Sequence, residues 1–221
     1  LRVEAGTTGG FDADVVLSSI PTPSLARALR PGPPTLVLEA LDRMRTRSMV
    51  LVYLAVATSQ YTEFDAHYFP ESLVGVARLS EPKNYRDGDD PVGHTVLCAE
   101  IACWRGDPVW NASDADLAAM VVDDLGRAGL PAVEVLEVAS RRLAAVYPVY
   151  ELETVTARSR VDDWAASLDR IVVFGRQGLG VPDNLHHVLS MGAAAAAATT
   201  ALIPASEEIR KIARMLSHTR A

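Results

Sequence analysis

A chain of 221 residues, 49% of them hydrophobic and with both charge signs mixed along it, can bury a core without disulfide or metal staples. Its net charge of −7, with only two lysines and no basic cluster, argues against a nucleic-acid surface. No apolar run of about 18 residues or more occurs and no leader pattern precedes the first strand, so the expectation is a cytoplasmic chain without a membrane span.

In chain order, Leu1 to Ala5 reads as a strand, and Gly6, Gly9 and Gly10 are spaced for a turn, not for a dinucleotide fingerprint. Phe11 to Pro23 predicts an apolar strand buried on both faces, as in a parallel sheet. Ser24 to Leu29 predicts a short helix that Ser24 can cap. Three further strands are expected at Thr46 to Ala57, Gly75 to Leu79 and His94 to Trp104, the last alternating as a half-buried strand does. Between the last two, Glu81 to Gly93 has the prolines, glycines and charges of an exposed loop. Cys98 and Cys103 lie an odd number of residues apart, so on one strand they point to opposite faces and do not form a disulfide.

Ser113 is positioned to cap a helix, with Asp116 completing an acidic form of the capping box. Leu117, Val121, Leu125 and Ala128 then repeat at helical spacing until Gly129 and Pro131. Ala132 to Tyr150 predicts one or two strands. Glu151 to Leu168 predicts a helix with Leu152, Val155, Val161, Trp164, Ala165 and Leu168 on its apolar face. Strands followed by helices describe an α+β domain.

The chemistry concentrates after Arg170. Ile171 to Phe174 is a short β-rich run, Gly175, Gly178, Gly180 and Pro182 are turn formers, and a helix capped by Asp183 or Asn184 runs into six consecutive alanines. Unpaired N–H groups and the positive end of the helix dipole meet a loop with few side chains, a place for an anionic or electron-rich group. His186 and His187 are adjacent and diverge on a helix. With no third ligand at a useful spacing, no metal site is expected.

The order GRQGLGVPDNLHHVLSMG resembles the C-terminal flavin-binding segment of the flavin amine oxidase and protoporphyrinogen oxidase superfamily, related to UDP-galactopyranose mutase. The resemblance implies an α/β chain: an α+β substrate domain with a mixed sheet at 24–167, plus a C-terminal strand-loop-helix piece of an FAD-binding, Rossmann-like domain formed by 1–23 and 168–221. Within it, Ala13-Asp14-Val15-Val16 followed by Ser18-Ser19-Ile20-Pro21 resembles the strand that crosses from the FAD domain to the substrate domain. Gly175 resembles the glycine beside the FAD pyrophosphate and Arg176 the arginine that follows it, which in mutase-like members holds an anionic substrate. Asn184 stands where the family often has an acid near the ribityl chain, and Leu185 where a main-chain N–H meets the flavin C2 carbonyl. Tyr147 and Tyr150, in a Tyr-Pro-Val-Tyr string also similar to this superfamily, are the candidates for facing the substrate or flavin.

The implied activity is an FAD-dependent oxidoreductase acting on a small-molecule substrate. A mutase-like isomerase acting on a sugar nucleotide is the alternative, and a non-catalytic α/β interaction domain is the second. Since no GxGxxG fingerprint occurs, the expected partner is a missing N-terminal Rossmann half, and this chain alone is expected to lack FAD and activity.

Overall fold

The computed structural model describes residues 1–4, 6, 9–85 and 92–173. The chain is α/β, with helices and both parallel and antiparallel strands, and it divides into two compact units. The first contains residues 1–45 and 148 onward, and the second is the continuous stretch Thr46–Tyr147. These boundaries, at 45/46 and 147/148, follow compactness and differ from the division by role expected at 23/24 and 167/168.

In the first unit, β1 (Arg2–Glu4) and β2 (Gly10–Asp12) form an antiparallel pair, and β3 (Val16–Ser18) pairs in parallel with β9 (Ile171–Val173). The single doubly buried strand expected over Phe11–Pro23 is therefore two short strands. Asp12 to Val15 turns the chain between them, and Leu17 remains 43% exposed. Helix α1 (Thr22–Ala28) is capped by Pro21, with a proline in its first turn where no N–H is needed, so Ser24 sits inside the helix and caps nothing.

Helix α2 (Thr35–Arg43), absent from the sequence expectations, turns Val37, Ala40 and Leu41 against Ala157 and Val161 of α5 (Val155–Ala166). Ala165 of α5 joins Leu25 and Val173 in a second small cluster. The expected face of this helix was wrong at its start. Leu152 belongs to a separate 3₁₀ turn (Leu152–Thr154) and is 89% exposed, and the change of turn type rotates Val155 outward as well.

The second unit is a five-stranded sheet in the order β5-β6-β7-β4-β8. Its members are β4 (Thr46–Val56), β5 (Ala66–Tyr68), β6 (Arg78–Ser80), β7 (Thr95–Cys103) and β8 (Val135–Pro148). β5, β6, β7 and β4 pair antiparallel. Ala57 N–H bonds Glu134 O and Ser48 Oγ bonds Ala144 O, so β8 also runs antiparallel to β4.

One face of the sheet is the core. Val50, Val52, Leu54 and Val56 of β4 and Leu97, Ala99, Ile101 and Cys103 of β7 pack against Leu117, Val121 and Leu125 of α4 (Asp114–Arg127). A four-residue α3 (Pro108–Asn111) precedes α4. Ser113 Oγ accepts the Asp116 N–H at 3.2 Å, the expected cap, and Gly129 adopts φ +72° just past the helix, a conformation that glycine takes without strain.

Two expectations fail for one kind of reason, a buried acid that holds a loop. The strand expected from Gly75 begins only at Arg78, because the N–H groups of Gly75 and Val76 bond Oδ2 of the buried Asp124 at 2.8 and 3.1 Å. A Cβ on Gly75 would lie 3.2 Å from that oxygen, a tight contact that would push the carboxylate back by a few tenths of an ångström. Glu81, expected in an exposed loop, is 2% exposed and accepts from Tyr61 N–H, Thr62 N–H and Thr95 Oγ1. A short 3₁₀ turn, Pro82–Tyr85, follows it.

Candidate functional site

On the first unit, β3 and β9 run side by side with Ser18 opposite Val173, and Val16 N–H bonds Arg170 O at 2.9 Å. Their carboxyl ends therefore lie together, and in open α/β sheets ligands collect outside the carboxyl ends of parallel strands. Two buried hydroxyls stand where the chain leaves β3: Ser18 Oγ and Thr22 Oγ1, in residues 6% and 1% exposed, have no hydrogen-bond partner among the described residues. A buried polar atom without a partner is costly, so this edge suits a polar group brought by a ligand. Gly175, Arg176, Asn184 and Leu185, the cofactor residues expected from the sequence, lie outside the described residues, as do His186 and His187.

Tyr150 also belongs to the first unit. It is 44% exposed, and the Arg158 guanidinium lies 5.1 Å from its ring centre, a cation–π distance. Arg158 in turn meets Asp162 at 3.5 Å, and nearby Arg45 meets Glu151 at 3.1 Å.

On the second unit, the face of the sheet turned away from α4 carries a row of polar side chains. Register puts Tyr53 opposite Cys98 and Cys98 opposite Ser80, and one pair further along Leu51 opposite Glu100, Glu100 opposite Arg78 and Arg78 opposite Tyr68. Arg78 Nε donates to Glu100 Oε1 at 2.9 Å and its Nη2 donates to the same oxygen. That bond to Glu100 raises the Arg78 pKa, against the opposing effect of burial. The half-buried Tyr53 stands across from the Cys98 thiol. Burial, aided by the Glu100 charge, raises the Cys98 thiol, so it stays protonated at neutral pH and is no nucleophile.

β8 adds two more members. Ser140 Oγ bonds Asp114 of α4, and the Arg142 guanidinium bonds the carbonyls of Trp110 and Ala112, so these residues face α4. Strand alternation then turns Arg141 and Tyr147 to the outer face, where the Arg141 charge reaches Tyr53. The structure thus sets Tyr147 in the second unit and Tyr150 in the first. The sequence expectations missed Tyr53, Arg78, Glu100 and Arg141. A signal for one of them existed: Glu100 is the lone charge inside the apolar run Thr95–Cys103.

Among the described residues no group of three or more His, Cys, Asp or Glu could hold a metal ion, and no helix is long and apolar enough to cross a membrane. No family model and no curated protein matches the chain. Solved structures do match its fold. One of reduced UDP-galactopyranose mutase is 18% identical with a TM-score of 0.64, covering 97% of this chain and 48% of that one. A protein from Exiguobacterium sp., named for protoporphyrinogen oxidase, is 22% identical with a TM-score of 0.53, covering 81% and 40%. A putrescine oxidase is 14% identical with a TM-score of 0.55, covering 77% and 38%. At these identities the likeness is one of fold, and the chain spans half or less of the length of each.

Proposed function

We propose that this chain is the substrate domain and the C-terminal cofactor strand of an FAD-dependent oxidoreductase of the amine oxidase and protoporphyrinogen oxidase type. The observation that carries the reading is a fold shared, over most of this chain, with protoporphyrinogen oxidase, putrescine oxidase and UDP-galactopyranose mutase. The orphaned Ser18 and Thr22 hydroxyls at the carboxyl ends of the parallel pair fit a polar cofactor group arriving there. Gly175, Arg176, Asn184 and Leu185 would hold the FAD: Gly175 by letting the backbone approach, Arg176 by its charge, Asn184 by its amide and Leu185 by its N–H. When bound, FAD supplies two-electron redox chemistry, and the protein's part is to position the substrate and exclude water. Tyr147, Tyr150 and Arg176 would contact substrate. By role, 1–23 and 168–221 would serve the cofactor and 24–167 the substrate.

A mutase-like isomerase acting on a sugar nucleotide is the second reading, favoured by the 97% of this chain that the mutase match covers. Reduced full-length protein that binds no UDP-sugar would remove it. The cofactor contacts of such folds come largely from the first βα turn, so this chain alone should take up FAD weakly or not at all. The full-length gene product should purify yellow with stoichiometric flavin. A colourless full-length protein that cannot be reconstituted with FAD overturns the proposal and leaves the non-catalytic interaction domain.

A further inference from the structure

Ser18 and Thr22 stand where an apolar side chain would serve the fold better. In β3 the exposed Leu17 and the buried Ser18 point to opposite faces. Ser18 shares its buried face with its register partner Val173, which packs on Leu25 of α1 and Ala165 of α5. Thr22 is the first residue of α1, and Leu25 and Ala26, three and four positions on, share its buried face. A threonine inside a helix can bond its hydroxyl to the carbonyl three or four residues back, but for Thr22 those residues are Ser19 and Ser18, which precede the helix. Nor does the start of α1 need the hydroxyl, because Ser24 N–H and Leu25 N–H bond Pro21 O at 2.8 and 3.1 Å. Alanine at 18 and valine at 22 would keep the packing and bury no polar atom. Both hydroxyls therefore cost the fold stability, and such a local conflict is expected where a site has been built. Ser18 ends β3 and Thr22 begins α1, so both border the carboxyl end of the parallel pair.

We propose that Ser18 and Thr22 are ligands of the FAD diphosphate: each hydroxyl, unsatisfied in the cofactor-free chain, donates to a phosphate oxygen in the full-length protein. The inference rests on the flavoenzyme reading and deepens it, because the same two groups weaken the first unit without cofactor and tighten its hold on the cofactor. The diphosphate is the part of FAD that suits this place. Val173, opposite Ser18, comes two residues before Gly175, the glycine expected beside the pyrophosphate. A hydroxyl turns to aim its proton at an anionic oxygen, and a bond of that kind is short and strong. The compensating positive charge falls to Arg176 in the same reading.

Two measurements with opposite signs test it. In urea denaturation of the 221-residue chain, Ser18→Ala and Thr22→Val should each raise the midpoint, because an unpaired buried hydroxyl disappears. In full-length protein stripped of flavin, each variant should bind FAD about tenfold more weakly or worse, the loss of one hydrogen bond to a charged group. ADP, which carries the diphosphate without the flavin, should lose as much. Ser19→Ala, at an exposed neighbour, should move neither measurement.

A midpoint that falls in either variant shows a hydroxyl already satisfied within the protein and overturns the inference. FAD affinity unchanged by either substitution overturns it as well, and so does a loss for FAD with none for ADP. Any of these results in a full-length protein that binds FAD defeats this inference alone. Full-length protein that takes up no FAD defeats the flavoenzyme reading, and this inference with it.

Discussion

Tyr61 shows how one side chain can record its surroundings in the pH dependence of stability. Its hydroxyl donates to Pro131 O at 2.7 Å, and burial pushes its pKa from 10.0 up to about 12. Above pH 10 the unfolded chain gives up this proton while the folded chain keeps it. The raised pKa therefore makes a contribution that is complete below pH 10 and is lost as pH rises towards 12. Urea melts at pH 9 and pH 11 should show stability falling between the two, and falling less in Tyr61→Phe. Burial raises the Tyr53 and Cys98 pKa values too, so the slope should shrink without vanishing. An equal fall in both proteins would show that Tyr61 ionises as freely in the native state as in the unfolded one.

Among the elements, those with a long regular pattern were legible and those defined by a partner were not. β4, β7 and α4 each run nine residues or more with apolar side chains at period 2 or 3.6, which burial of one face dictates. β5 and β6 are three residues each and exist because β6 has β7 to bond and β5 has β6. The Arg78–Glu100 pair was hidden for a related reason, since 22 residues separate the two and only the register of β6 on β7 makes them neighbours. Tyr147 was picked out from the sequence, but its face could be assigned only once Ser140 and Arg142 were seen against α4.

The helical signals of α4 lie in Leu117, Val121, Leu125 and Ala128 and are silent on Asp124, yet Asp124 ties α4 to the turn before β6. Asp124→Ala leaves two N–H groups without an acceptor and should cost about 2–6 kcal/mol, at roughly 1–3 kcal/mol for each unsatisfied group. Asp124→Asn keeps an acceptor oxygen and should recover part of the loss. Urea denaturation midpoints measure both, and a neutral alanine variant would mean that water replaces the carboxylate without cost.

For the molecule as a whole, the arrangement of the two units makes a strong statement about autonomy. The second unit is continuous, has its own core centred on Val52, Leu54, Leu97, Leu117 and Val121, and holds four of its loops and turns with internal hydrogen bonds from Asp124, Glu81, Tyr61 and Arg142. Residues 46–147 expressed alone should unfold in a single cooperative transition in urea. A non-cooperative transition, or exposed apolar surface that binds dye in native buffer, would show that the first unit is required for the core to close.

The parallel pairing of β3 with β9 bears on the order of events in folding. Val16 and Ile171 meet although about 155 residues separate them, and closing so long a loop in an unfolded chain is entropically costly. The backbone bond from Val149 N–H to Arg45 O, 2.8 Å, shows that the chain returns to the point at which it left the first unit. Once the intervening segment has collapsed, it acts as a short clasp, and the strands are joined by an effective loop of only about 50 residues. The saving is about 1 kcal/mol from the logarithm of the length ratio, and it goes to the transition state for assembling the first unit. A polypeptide emerging from the ribosome would have both the clasp and the cue for its timing, because β9 is synthesised only after the inserted unit is complete.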